Sequence, residues 1–195
     1  INTLAAQLKF IEQDYQSAKE LADKASMINS NGLAQLISGL SSFYLKDYEQ
    51  AYFQLSAISD ALPKEHQAHK ILAITQIKLG YNEEMSDTIE GIESFSKIDA
   101  SLFVGIGLEF AQQGDKQKAE AMFSRALTLA PNNAKIKTQQ GLLKLFNDDL
   151  SGIQDLQQAL RLEPTFKQAN VTLATTYLKQ GKNSQASAVA KKWLT

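Results

Sequence analysis

The chain has 195 residues, 44% of them hydrophobic and 21% charged, the proportions of an ordinary folded chain able to bury a core. Twenty basic and 21 acidic side chains leave a net charge of -1, so no basic excess recommends nucleic acid or an anionic membrane as partner. The absence of cysteine excludes disulfides and thiol chemistry but leaves the compartment open, cytoplasmic or bacterial periplasmic and envelope, and no apolar run approaches the roughly 18 residues of a membrane span.

The sequence opens INTLAAQLKF, already amphipathic and without an initiator methionine, and reads as part of a longer chain. From there apolar residues return every three or four places along successive segments, the signature of helices with one buried face. Small residues mark these segments at a nearly fixed step. Gly39, Ala73, Gly107, Gly141 and Ala174 lie 34, 34, 34 and 33 apart, each midway along a predicted first helix. Ala18, Ala51, Met85, Ala119, Gly152 and Ala186 advance by 33, 34, 34, 33 and 34, each near the start of a predicted second helix. Pro63, Pro131 and Pro164 form a third series, with Lys97 standing where another proline would complete it. Such a period predicts six helical hairpins, over residues 1–31, 32–65, 66–99, 100–133, 134–166 and 167–195. Three prolines, ten glycines and no linker-like stretch predict one continuous array.

Residues 100–133 show the cause of each mark. Two helices approach closely only where side chains are small, which suits Gly107 on the first helix and Ala119 on the second. Phe110 and Phe123 are then expected to fill the wedge between them. Gly114 suits the left-handed turn that closes a helix, and Asp115 the capping of the next. Gly80, Gly181 and the pair Lys46-Asp47 mark equivalent turns. Pro131 stops the second helix, and Asn132 and Asn133 suit the cap that follows.

With Gly107, Phe110, Gly114, Ala119, Phe123, Ala126 and Pro131 in place, the chain resembles a tetratricopeptide repeat protein. Residues 32–65 keep Gly39, Ala51 and Pro63 of that pattern, and residues 167–195 keep Ala174, Tyr177, Gly181 and Ala186. Met85 is large for its place, Lys97 replaces a proline, the segment 134–166 is one residue short, and Trp193 stands where alanine is expected. A weaker resemblance, resting on degenerate stretches such as LGYNEEMSDTIEGIE, is to tetratricopeptide lipoproteins of exosortase-type sorting systems.

The resemblance implies an all-α, right-handed superhelical solenoid whose first helices line a concave groove that holds a peptide or helix of a partner. Mapped onto this sequence, the groove takes Leu36, Leu40, Phe43 and Tyr44, then Lys70, Ile74, Ile77 and Lys78, then Val104, Leu108 and Gln112, then Leu142, Val171, Thr175 and Leu178. Phe43 and Tyr44 are the expected anchors, since aromatic side chains dominate interface energetics. First helices are also sandwiched between neighbours, so the same residues suit an inter-hairpin core. Lys70 and Lys78, two turns apart, could face one carboxylate, but Ile74 stands between them where carboxylate-clamping repeats carry an asparagine. The final helix keeps Val189, Trp193 and Leu194 with no polar capping helix after it, and predicts self-association or a continuing chain.

Catalytic signals are thin, and no catalytic, cofactor or metal residues are assigned. His66 and His69, the only histidines, stand three apart in EHQAH, short of a metal-binding set and unlike HExxH. GIGLEF at 105–110 has Phe110 where a dinucleotide loop needs glycine, and reads as helix packing. Asp148 and Asp149 read as turn residues. The expected function is a protein interaction scaffold. The alternative is an accessory component of a bacterial envelope protein-sorting or exopolysaccharide export assembly.

Overall fold

The structure, a computed structural model, describes residues 2–28, 32–92 and 94–194. It is all helical among those residues: α1 (Asn2–Ile11), α2 (Tyr15–Ile28), α3 (Gly32–Tyr44), α4 (Tyr48–Ser59), α5 (Gln67–Leu79), α6 (Asn82–Glu90), α7 (Ala100–Gln112), α8 (Lys116–Leu129), α9 (Ala134–Phe146), α10 (Gly152–Leu162), α11 (Lys167–Lys179) and α12 (Asn183–Leu194). Two compact units divide the chain, residues 1–95 with α1 to α6 and residues 96–195 with α7 to α12. Each is a stack of three antiparallel hairpins.

One backbone device makes all six hairpins. A single residue with positive φ follows each first helix: Gln13 (62°), Lys46 (65°), Gly80 (80°), Gly114 (81°), Asp148 (60°) and Gly181 (71°). The next amide reaches back to an otherwise orphaned carbonyl, as in Asp47 to Ser42, Asp115 to Phe110 and Lys182 to Tyr177. Aspartates then open several second helices. Asp14 accepts from the amide of Ser17 at 3.2 Å, Asp47 from Gln50 at 3.3 Å and Asp115 from Lys118 at 3.0 Å. Asn133 caps α9 by accepting from the Ile136 amide at 3.1 Å.

The small-residue series marks where paired helices touch. A Cβ on Gly107 would lie 3.2 Å from the carbonyl oxygen of Ala119, so the GIGLEF stretch is helix packing. In the next hairpin Gly141 and Gly152 face each other, and a Cβ on Gly141 would lie 2.8 Å from the Gly152 carbonyl oxygen. No other residue type could hold those backbones so close. Phe103, Phe110 and Phe123 are fully buried in the C-terminal unit. Its last two hairpins close over Leu156, Ala159, Ala169, Leu173, Tyr177 and Ala186.

In the N-terminal unit the core is smaller-grained, built on Ala6, Ala18, Ala22 and Ile37 and on Leu55, Ala68 and Leu72. Met85 is accommodated with 1% exposure, on a helix only nine residues long. Where Lys97 replaces proline, a 3-10 turn at Lys97–Asp99 ends the irregular stretch. It is fixed by the amide and hydroxyl of Ser96, which donate to Asp99 Oδ2 at 2.7 and 2.9 Å.

Candidate functional site

In the C-terminal unit the first helices α7, α9 and α11 line one cleft of about 700 Å³. Leu108, Ala111 and Gln112 come from α7, Gln139, Leu142, Leu143 and Phe146 from α9, and Gln168 from α11, with Gly114 and Phe123 completing the lining. The helical period puts residues four apart on one face, so Leu108 with Gln112 and Leu142 with Phe146 form matching rungs 34 residues apart. Phe146 is 84% exposed, an uncommon state for a phenylalanine standing beside other apolar side chains. No charged side chain lines this cleft. Its polar atoms belong to carboxamides, and the buried Oε1 of Gln139 has no hydrogen-bond partner among the described residues. The size lies within the few-hundred to thousand Å³ range of ligand-binding clefts. A second cleft of about 490 Å³ shares Gln168 and adds Phe166, Lys167 and Val171 from the start of α11.

Of the residues that the sequence assigned to a groove here, Leu108, Gln112 and Leu142 line the larger cleft and Val171 the smaller one. Val104 is half-buried on α7, while Thr175 and Leu178 are exposed further along α11. Sequence reasoning missed Gln139, Phe146 and Gln168. Phe146 was within reach of it, being 34 residues after Gln112 and four after Leu142.

The N-terminal unit places its assigned residues differently. Leu36 and Leu40 pack against the cluster of Leu55, Ala68 and Leu72, and Ile77 is buried with 1% exposure. Ile74 is half-buried and Lys78 exposed. The Lys70 ammonium lies 5.9 Å from the centroid of the Phe95 ring. Phe43 and Tyr44 belong to an aromatic chain along the hairpin turns. Tyr44 stacks on Tyr15 with centroids 4.5 Å apart and planes 10° from parallel, Phe10 meets both rings at 5.9 and 5.4 Å, and Phe43 contacts Tyr44 and Tyr48. These rings hold neighbouring hairpins together while leaving Tyr44 48% exposed.

The remaining singled-out groups have structural work. His66 caps α5, its Nδ1 accepting from the Ala68 amide at 3.1 Å, and His69 donates through Nε2 to the Pro63 carbonyl at 3.1 Å. Asp148 supplies a left-handed turn residue, and Asp149 accepts from the amide and hydroxyl of Ser151 at 2.9 and 2.8 Å. Val189 packs on the core of its own unit, Trp193 is half-buried, and the side chain of Leu194 lies outside the described residues.

The hairpins, their left-handed turns and their small-residue contacts define a class, the helical-repeat array. Residues 100–133 match the tetratricopeptide repeat model, and the fold of the chain is that of tetratricopeptide repeat proteins. The chain is similar to the C-terminal part of a tetratricopeptide repeat protein of Cytophaga hutchinsonii, with a TM-score of 0.80 and 14% identity over 98% of this chain and 78% of that one. YrrB, described as a repeat protein with an unusual peptide-binding site, has a TM-score of 0.66 and 16% identity over 86% of this chain and 88% of its own. MamA of Desulfovibrio magneticus RS-1 has a TM-score of 0.68 and 15% identity over 85% and 95%. Among sequence relatives, the peroxisomal targeting signal receptor of Kluyveromyces lactis is 30% identical over 91 residues, 46% of this chain and 16% of that protein. No helix among the described residues is long and apolar enough to cross a membrane.

Proposed function

We propose that this chain recruits a protein partner by holding an uncharged, apolar segment of it, peptide or helix, against the first helices of the C-terminal unit. The observation that carries this reading is the neutral cleft lined by Leu108, Leu142 and Phe146, to which α7 and α9 present apolar side chains and α7, α9 and α11 each a glutamine carboxamide. An apolar side chain of the partner would enter among the leucines and Phe146. The carboxamides of Gln112, Gln139 and Gln168 offer both donors and acceptors to its backbone. A charged ligand side chain would lose hydration there without gaining an opposite charge. The similarity in fold to YrrB, itself described by a peptide-binding site, supports the same class of ligand.

Panning a random peptide library against the purified protein, followed by affinity measurement on the selected sequences, tests the proposal. The expected selection is apolar and neutral at its core, with binding lost at least about tenfold on Leu142→Glu or Phe146→Ala, the scale of an aromatic hot spot. Selected peptides of high charge, or peptides indifferent to both substitutions, would overturn it.

A further inference from the structure

The two units carry matching clefts on a different face, between successive second helices, and these clefts carry opposite charge. Each has a volume of about 340 Å³. In the N-terminal unit Asp60, Leu62, Lys64, His69, Leu72 and Asp87 are among the lining residues. In the C-terminal unit they include Leu160, Arg161, Asn170, Leu173, Val189 and Lys192. A constant offset of 101 residues relates them: Asp60 to Arg161, His69 to Asn170, Leu72 to Leu173, Thr88 to Val189 and Gly91 to Lys192.

What the fold requires is the same in both. Leu72 and Leu173 are buried floors. His69 donates to the Pro63 carbonyl, and its counterpart Asn170 donates through Nδ2 to the Pro164 carbonyl at 2.8 Å, so each clamps the turn between hairpins. The rim is not required by the fold, because it changes from two carboxylates and one lysine to an arginine and a lysine with no carboxylate at all. A packing cleft needs no charge of a particular sign; a binding cleft does.

We propose that the cleft between α10, α11 and α12 binds a carboxylate carried on a short aliphatic tail. Arg161 forms no ion pair among the described residues, and its planar fork suits two-point contact with a carboxylate. Lys192 lines the same cleft from α12. The Tyr177 hydroxyl accepts from Gln157 Nε2 at 2.9 Å, which leaves its own hydrogen to donate to the ligand. Leu160, Leu173 and Val189 give the tail an apolar seat, a feature a bare phosphate would not use. Such a carboxylate could come from a peptide C-terminus or from a free small acid.

Both sources can be tested by following backbone amide resonances of the 195-residue protein during titration with N-acetyl-alanyl-leucine and with 4-methylpentanoate, each against its neutral amide. The expected result is saturable shifts around Arg161, Asn170 and Lys192 with at least one acid, and binding at least about tenfold weaker for its amide. Arg161→Gln and Lys192→Gln should each weaken the acid several-fold with the rest of the spectrum unchanged, and Arg161→Lys should retain part of the affinity. Tighter binding of the dipeptide assigns a peptide terminus, and tighter binding of 4-methylpentanoate assigns a free acid. Acid and amide titrating alike, no saturable shift with either acid, or wild-type binding by both glutamine variants would overturn the proposal.

Discussion

The two units solve one packing problem with different material. Three residues after the small residue of its first helices, the C-terminal unit has Phe110, fully buried; Lys144, which pairs with Asp155 at 2.7 Å; and Tyr177, whose hydroxyl is hydrogen-bonded. The N-terminal unit has Ser42 and Gln76 at the same place, both buried, with Ser42 Oγ and Gln76 Oε1 lacking partners among the described residues. The spacing of helices is therefore set by the small residues and the left-handed turns, which both units share, and not by what fills the wedge. A buried polar atom without a partner costs roughly 1 to 3 kcal/mol, so its removal at this place should stabilise the N-terminal unit.

The sharpest way to break the comparison is at the glycine contacts. Gly152→Ala would drive a methyl group into the Gly141 carbonyl oxygen, whose backbone has nowhere to retreat, whereas Gly39→Ala meets the side chain of Leu55. We expect about 3 kcal/mol of destabilisation for Gly152→Ala and about 1 kcal/mol for Gly39→Ala, read by urea unfolding. Equal costs would show that close backbone approach does not govern the C-terminal hairpins.

A change of opposite sign sharpens it. Ser42→Ala removes a buried hydroxyl that has no partner, and should stabilise the N-terminal unit by about 1 kcal/mol, seen as a raised thermal midpoint. A lowered midpoint would mean that the hydroxyl is satisfied in solution. For the aromatic chain, a double-mutant cycle on Tyr15→Ala and Tyr44→Ala should return a coupling of about 1 kcal/mol, since the rings stack directly. Additive effects would return Tyr44 to the role of a free anchor.

The smallest expected effect is in pH. Hydrogen bonds from Ser17 hold the Asp14 carboxyl below its usual value, and those from Ser151 do the same for Asp149. A carboxyl lowered by folding contributes stability above its unfolded ionisation, and that contribution is lost as pH falls through the lowered folded value. Thermal midpoints taken from about pH 6 down to about pH 2 should thus fall less for Asp14→Asn than for the parent protein. Parallel curves would contradict this.

Much of the fold was legible because its causes are local. A glycine that must turn left-handed or admit a neighbouring backbone leaves a mark at a fixed step, and so does an aspartate that caps. Gln13 and Asp148 were less visible: they adopt the same left-handed conformation as Gly80 and Gly114, but their side chains do not require it. The lining of the C-terminal cleft was legible only in part, because facing depends on rotation and on partners far away in sequence. Ile77 carries the right periodicity for a groove yet is buried. The engagement of Tyr44 was hidden because nothing in its own hairpin shows that Tyr15 and Phe10 reach it. Phe146 escaped notice as the last residue of its helix, although the repeat step from Gln112 leads to it.

The most direct measurement is where a partner segment touches the C-terminal unit. A panned peptide carrying a photo-crosslinker at its apolar centre, mapped by mass spectrometry, should attach to α7, α9 and α11 around Leu108, Leu142 and Phe146. Attachment confined to α8, α10 and α12 would contradict it.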